Sequence, residues 1–412
     1  MVEHRRFMAV SLERALRTFR VVCLIGPRQV GKSTLVSSLP GRTHLTLDDL
    51  GVLEAATRDP RGFIASLHTP VTIDEVQRVP DLLLAIKERV DRDRTRGAFL
   101  LTGSARLDML KGVRDSLAGR VAVLRMRPMT LAEVRDEVGA NPVARLFESE
   151  SAADVVAAYS RVTPTRAVTP DDVLAGGFPE PAIHLDAADR GAWFRAYRAS
   201  HVERDVPAVL RVEDVHAFSR FVSAVAATSA NLLNATDLAR DCAVSQDTAR
   251  RWLAVLETTL VADRLAPYAR NVRTRLVKSP KVFLCDAGLM GHFVGASPWT
   301  PTVSYPYAGA LWETWLHNEL AVGAELAEAE LAYFRTHGQV EVDFVLSKDR
   351  RTIPIELKSG ATVRPADARG ILWLREHFPR ECPFGVVLYN GDAVFPLAEG
   401  VVAVPLSRFL AP

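Results

Sequence analysis

The stretch Gly26-Pro-Arg-Gln-Val-Gly-Lys-Ser-Thr34 constrains this chain more than any other. It follows the apolar run Val21-Val-Cys-Leu-Ile25 and precedes Leu35-Val-Ser-Ser-Leu39, so a G-x-x-x-x-G-K-[S/T] loop lies between a buried strand and the start of an amphipathic helix. Glycines let backbone N–H groups turn inward on phosphate oxygens, and the helix start adds the positive end of its dipole. The candidate nucleotide contacts are therefore Gly26, Pro27, Arg28, Gln29, Val30, Gly31, Lys32, Ser33 and Thr34. Lys32 is expected to reach the β- and γ-phosphates and Ser33 to ligate Mg²⁺, which makes ATP and Mg²⁺ the expected cofactors.

Such a loop needs a carboxylate on the metal and a base for the attacking water. Val71-Thr-Ile-Asp74-Glu75 reads as a strand ending in two adjacent acids: Asp74 suits the metal shell and Glu75 the general base. Thr43–Leu47 alternates like a strand, and Asp81–Val90 has helical periodicity. Ala98-Phe-Leu-Leu-Thr-Gly-Ser104 is another buried strand with a polar tip, where Thr102 or Ser104 is placed to sense the γ-phosphate, Ser104 being preferred. Arg120 precedes the next strand and is the candidate arginine finger, acting across a subunit boundary in a homo-oligomer; the alternative is a surface arginine at a strand entrance.

Gly-Pro-Arg-Gln-Val-Gly-Lys-Ser-Thr, Leu47-Asp-Asp, Ile73-Asp-Glu-Val-Gln77, Leu101-Thr-Gly-Ser104 and Ser116-Leu-Ala-Gly-Arg120 together resemble a prokaryotic AAA-type P-loop ATPase fused to the C-terminal region DUF4143. Gly176-Gly-Phe-Pro-Glu180 and Glu203-Arg-Asp-Val206 extend the resemblance over nearly the whole chain. It implies an α/β ATPase domain over residues 1–125, with a parallel sheet, followed by further modules.

Residues 126–230 read as a helical lid and connector, with Thr130 as an N-cap, mobile turns at the Thr-Pro breaks, a hinge at Gly176-Gly177 and a helix over 193–204. Arg195, Arg198 or Arg204 is either a second nucleotide sensor or a member of ordinary ion pairs. Residues 231–295 have the pattern of a winged helix-turn-helix. Ser245 caps a second helix whose Ala249, Trp252, Leu253 and Leu256 form a buried stripe, leaving Gln246, Asp247, Arg250 and Arg251 outside. A hairpin wing from Leu265 to Leu284 carries Arg270, Arg273, Arg275, Lys278 and Lys281. Gln246, Arg250, Arg251, Arg273 and Arg275 are the candidate DNA contacts, although winged helices also serve as protein-binding modules.

Residues 300–412 suggest a restriction-endonuclease-like α/β domain. Asp343 followed by Glu356-x-Lys358 resembles the PD-(D/E)xK nuclease core, with Glu313 as an upstream helical acid. Period-2 geometry puts Glu356 and Lys358 on one strand face, where carboxylates hold Mg²⁺ or Mn²⁺ and the lysine positions water.

The formal net charge of +2 over 412 residues gives no global bias toward polyanions, so a DNA partner rests on local patches. Four scattered cysteines fit neither a disulfide framework nor a zinc cluster, and no run is apolar enough for a membrane span; a cytoplasmic protein without a membrane partner is expected. The expectation is an ATP-hydrolysing protein that binds DNA through its later modules. The alternatives are an ATP-dependent regulatory switch with a degenerate nuclease fold, and an ATP-gated nuclease.

Overall fold

The computed structural model describes residues 4–104, 119–209, 212, 214–269, 279–296, 305–336, 338 and 340–412. These pack as two compact units, one comprising the chain up to Pro128 with Ala254–Val261, the other Met129–Leu253 with Ala262–Pro412.

In the first unit the helix Met8–Thr18 leads into β1 (Val21–Ile25), and a helix at Lys32–Ser37 follows the Gly-rich loop. β2 (Thr43–Thr46), β3 (Val71–Asp74), β4 (Phe99–Gly103) and β5 (Val121–Arg125) complete a sheet in the order β2-β3-β4-β1-β5. Every pairing in it is parallel. Parallel sheets are covered on both faces, which explains why every residue of β1 and β4 is buried. Leu82, Ile86 and Val90 of the helix Leu82–Arg92 fall at i, i+4 and i+8 and join Val21, Ile73 and Leu101 in one core. β1 and β4 are neighbours, yet the chain leaves them toward opposite edges of the sheet. A crevice therefore opens between their carboxyl ends, where the loop of residues 26–31 and the tip of β4 both lie.

The second unit opens with short, individually capped helices. Thr130 and Glu133 form a reciprocal capping box, and Asn141, Ser151 and Thr169 cap the helices Pro142–Glu148, Ala152–Arg161 and Pro170–Ala175. The Thr169-Pro170 step, expected to be a mobile turn, is instead a helix start, with proline at the first position where its missing N–H costs nothing. Gly176-Gly177 is likewise no hinge. Asp286 Oδ2 accepts from the Gly177 N–H at 2.6 Å, and a Cβ on Gly176 (φ +66) would meet the same carboxylate at 2.4 Å. The helix expected over 193–204 splits into an α-helix at Ala187–Tyr197 and a π-helical stretch at Arg198–Asp205.

Helices Val215–Ala227 and Ala235–Asp241 precede Gln246–Thr258. Trp252 packs edge-on against Phe218 and Phe221, and Ser245 Oγ accepts from the Thr248 N–H at 3.1 Å. β6 (Ala262–Leu265) pairs antiparallel with β7 (Lys281–Leu284).

A six-stranded mixed sheet ends the chain: β8 (Glu330–Arg335), β9 (Glu341–Lys348), β10 (Arg351–Lys358), β11 (Gly385–Tyr389), β12 (Phe395–Ala398) and β13 (Val401–Pro405), in the order β12-β13-β11-β10-β9-β8. The helices Ala308–Leu326 and Arg369–His377 belong to the same unit. β12 and β13 were not anticipated. Pro396 and Pro405 argue against central strands, and the structure accommodates Pro396 on the edge strand β12. Of the hairpin expected from Leu265 to Leu284, residues 270–278 lie outside the described residues. β6 stops at Leu265, and Ala266 and Tyr268 then bond to the backbone of Tyr333 in β8.

Candidate active site

Strand register assembles the acidic end of the first site. β3 and β4 pair Val71 with Phe99 and Ile73 with Leu101, so Asp74 comes level with Thr102 and accepts a hydrogen bond from its hydroxyl. The other Asp74 oxygen accepts from Ser33 Oγ at 2.9 Å. A hydroxyl and a carboxylate side by side form the hard-oxygen donor set that suits Mg²⁺. Bound there, the ion would neutralise charge on the phosphate oxygens.

Glu75 has φ 59 and ψ 41, a left-handed conformation that persists in a non-glycine residue only where its surroundings fix it. Its N–H donates to Thr102 Oγ1 at 3.2 Å, and its carboxylate accepts from Gln77 Nε2. The same amide donates to Ser104 Oγ at 3.0 Å, and that hydroxyl lies 3.5 Å from the Glu75 carboxylate. Ser104 thus stands beside the Glu75 carboxylate, at the tip of the strand between Asp74 and the Gly-rich loop. Gln77 and Thr102 hold the two acids. In sequence, the only signal for the role of Gln77 is its spacing two residues after Glu75.

On the other side of the crevice, Lys32 is buried and donates to the carbonyls of Gly26 and Pro27 at 2.9 and 2.8 Å. Burial lowers its pKa to about 8 against the opposing pull of Glu75 and Asp74. Positive φ at Gln29 (63°) and Gly31 (93°) turns the loop inward. A Cβ on Gly26 would stand 2.4 Å from the Met126 carbonyl, so only glycine fits there. Arg6 braces the loop from outside, donating to Val30 O at 2.8 Å and Arg127 O at 2.9 Å, a contact with no sequence signature. The following helix has only six residues, so a phosphate held there would rely on loop amides and Lys32 more than on a helix dipole.

Arg120 lies elsewhere. It precedes β5, at the amino ends of the parallel strands, roughly 16 Å from the loop across five residues of strand, and its Nε donates to Asp91 at 2.5 Å. At that distance it does not reach the Gly-rich loop of its own chain. Arg198 pairs with Glu203 at 2.7 Å and lies over the Phe293 ring, and Arg204 pairs with Asp205 at 3.1 Å.

In the second unit, Gln246, Arg250 and Arg251 are exposed opposite the buried Ala249, Trp252 and Leu253. Gln246 Nε2 donates to Thr236 Oγ1 at 2.7 Å, and Arg250 lies 3.9 Å from Asp247. Arg273 and Arg275, with Arg270 and Lys278, lie outside the described residues. Lys281, expected on the basic wing, is instead buried, with its ammonium 2.7 Å from Glu341 and 3.3 Å from Glu313.

That lysine enters the acid centre expected of a nuclease. Burial and the nearby Asp343 push Glu313 up to about 7 against the pull of Lys281. Burial and Asp343 also raise Glu356. Lys358 lies 3.5 Å from Glu356, on the shared face that alternation predicts, and Asp343 accepts from the Leu357 N–H at 2.9 Å. Burial tends to lower both lysines, but Glu313, Asp343 and Glu341 hold Lys281 above its ordinary value, and Glu356 and Asp343 do the same for Lys358. Among the described residues no three acidic, histidine or cysteine side chains are disposed to hold a metal. The Lys281 ammonium lies between Glu313 and Glu341, and no cleavage step is derived from this centre. Glu341 was missed, although it shares a strand face with Asp343 two residues on.

Three family models match the chain: the AAA domain over residues 18–135, the domain of unknown function DUF8612 over 169–300 and the domain of unknown function DUF4143 over 308–409. The uncharacterised protein Rv2008c of Mycobacterium tuberculosis is 32% identical over 413 residues, spanning 100% of this chain and 85% of its own length. The uncharacterised protein Mb2031c of Mycobacterium bovis matches to the same extent. Among solved structures, the Walker-type ATPase PABY2304 of Pyrococcus abyssi covers 71% of this chain and 96% of its own at 12% identity, with a TM-score of 0.40. The chain belongs to the family of these mycobacterial proteins, carrying an AAA-type ATPase domain at its amino end and DUF4143 at its carboxyl end. Among the described residues no helix is long and apolar enough to cross a membrane.

Proposed function

We propose that the chain binds ATP with Mg²⁺ and hydrolyses it, and that this turnover is coupled to DNA engaged by its carboxyl-terminal part. The observation that carries the reading is the meeting of Ser33 with Asp74 beside a Glu75 held by Gln77 and Ser104. Lys32 then clamps the phosphates, Ser33 and Asp74 hold the metal, and Glu75 takes the proton of the attacking water. Arg120 acts only across a subunit boundary, which makes the working form a homo-oligomer.

For DNA, the reading treats Ala235–Asp241, Gln246–Thr258 and the β6–β7 pair as a winged helix, with Gln246, Arg250 and Arg251 facing the duplex. The exposed polar row opposite a buried apolar one supports it. A second reading has a specific observation in its favour. Lys281 among the carboxylates fits a degenerate nuclease fold used for contact, within an ATP-dependent switch. An ATP-gated nuclease requires instead Mn²⁺-dependent cleavage that disappears in Lys358→Ala.

The deciding experiment is ATP hydrolysis by wild type, Lys32→Ala and Glu75→Gln, with and without duplex DNA. Glu75→Gln should retain ATP binding and lose about 100-fold or more in turnover. Undiminished hydrolysis would remove Glu75 from the mechanism. DNA stimulation that vanishes in Lys32→Ala supports coupling; indifference to DNA favours the switch.

A further inference from the structure

The amino ends of β1, β4 and β5 enclose a depression of about 790 Å³ on the sheet edge opposite the Gly-rich loop. Phe19, Arg20, Asp91, Arg94, Arg96 and Arg120 line it, so four guanidinium groups face one carboxylate. That carboxylate is committed to Arg120 at 2.5 Å, and hydrogen bonding to Arg120 holds the Asp91 pKa below its ordinary value. Arg20 is anchored by donating to Val90 O at 3.2 Å. Arg94 and Arg96 are exposed and have no acidic partner among the described residues. The lining therefore carries a net positive charge, with Asp91 set against four guanidinium groups.

We propose that this depression binds the phosphodiester backbone of a single-stranded nucleic acid. Guanidinium forks match phosphate oxygens, and here they come from three separate segments of chain. A lone terminal phosphate is ordinarily held by a cradle of backbone N–H groups as well. No Gly-rich loop is present among the lining residues to cradle such a terminus. Phe19, exposed at the rim, offers an aromatic face for a base, and aromatic faces interleaved with cations are what sequence-tolerant strand binding uses. The site belongs to the ATPase unit itself and is independent of the helix bearing Arg250 and Arg251.

The test is fluorescence anisotropy with a labelled oligothymidylate, from 50 to 200 mM KCl in about four steps, on the full chain and two double variants. Arg94→Glu with Arg96→Glu should weaken binding at least about tenfold and flatten the log–log salt slope by roughly 1.4, two phosphate contacts' worth for a single strand. Its ATPase rate without DNA should stay at the wild-type level, which also reports that the unit is folded. Arg250→Glu with Arg251→Glu should leave oligothymidylate binding largely in place. Unchanged affinity and slope in the Arg94/Arg96 variant overturn the proposal, as does a wild type that fails to bind the strand at 50 mM KCl, the lowest salt of a range of about fourfold. Displacement of the strand by equimolar pyrophosphate overturns it too, since that marks a site for isolated phosphates. Binding lost only in the Arg250/Arg251 variant overturns it while sparing the helix reading.

Discussion

Replacing Lys281 by methionine keeps the aliphatic stem and removes the buried charge that lies between Glu313 and Glu341. The ammonium is buried, 2.7 and 3.3 Å from its two carboxylates, and truncating one partner of such a cluster costs on the order of 3–5 kcal/mol. The loss should depend on pH. Glu313 has a folded pKa of about 7 against an ordinary 4.5, so its contribution is present below about 4.5 and fades as pH rises through 7. Without Lys281 its pKa climbs further, and deprotonation at pH 8 leaves an uncompensated buried charge. At pH 5 the proton does the work of the ammonium, and the deficit should fall to roughly half. Glu341 keeps a second cation in Arg335, 3.6 Å away. All six tryptophans lie between Trp193 and Trp373, within the second unit, so urea unfolding followed by tryptophan fluorescence reports on the right region. Lys281→Met with Glu313→Gln should recover most of the stability lost at pH 8. A loss below about 1 kcal/mol at pH 8, or an equal loss at both pH values, would refute the account of Lys281 as the resident cation of this centre.

Gln77→Leu should keep the local packing but release Glu75. Losing a hydrogen bond to a charged group is worth about 1.5–3 kcal/mol, so kcat should fall roughly 10- to 100-fold with KM for ATP little changed; a kcat within about twofold of wild type sinks the positioning role. Glu319, fully buried and accepting from the Leu131 N–H at 2.8 Å, is pushed up to about 8 by burial and stabilises the fold only while protonated. Its contribution is whole below about 4.5 and lost as pH rises through 8, so Glu319→Gln should raise the urea midpoint at pH 9, by a free energy on the order of 2–4 kcal/mol. A lower midpoint at pH 9 contradicts that assignment.

Local sequence determined a good deal of this protein. The Gly-rich loop, the strands 21–25, 71–74 and 99–103, and the helix 82–92 follow from apolar runs and periodicity within a few residues of each other. The meeting of Asp74, Glu75 and Ser104 was partly legible because all three sit at strand ends, and strand ends are local features. Glu356 and Lys358 on one face, and Arg250 and Arg251 opposite Trp252, follow from periods of two and of 3.6.

What only tertiary structure decided concerns partners distant along the chain. The sheet order that inserts β4 between β1 and β3 brings Thr102 to Asp74 and Ser104 to Glu75, and no local pattern encodes a strand order. Arg6 reaches Val30 and Arg127 because folding closes a segment of more than a hundred residues around the loop. Asp286 turns an expected hinge at Gly176-Gly177 into a fixed corner across 109 residues. Lys281 read as one more cation in a basic hairpin. In the fold it is the counter-ion of Glu313 and Glu341, because a lysine in sequence shows its charge but not the carboxylates that will surround it.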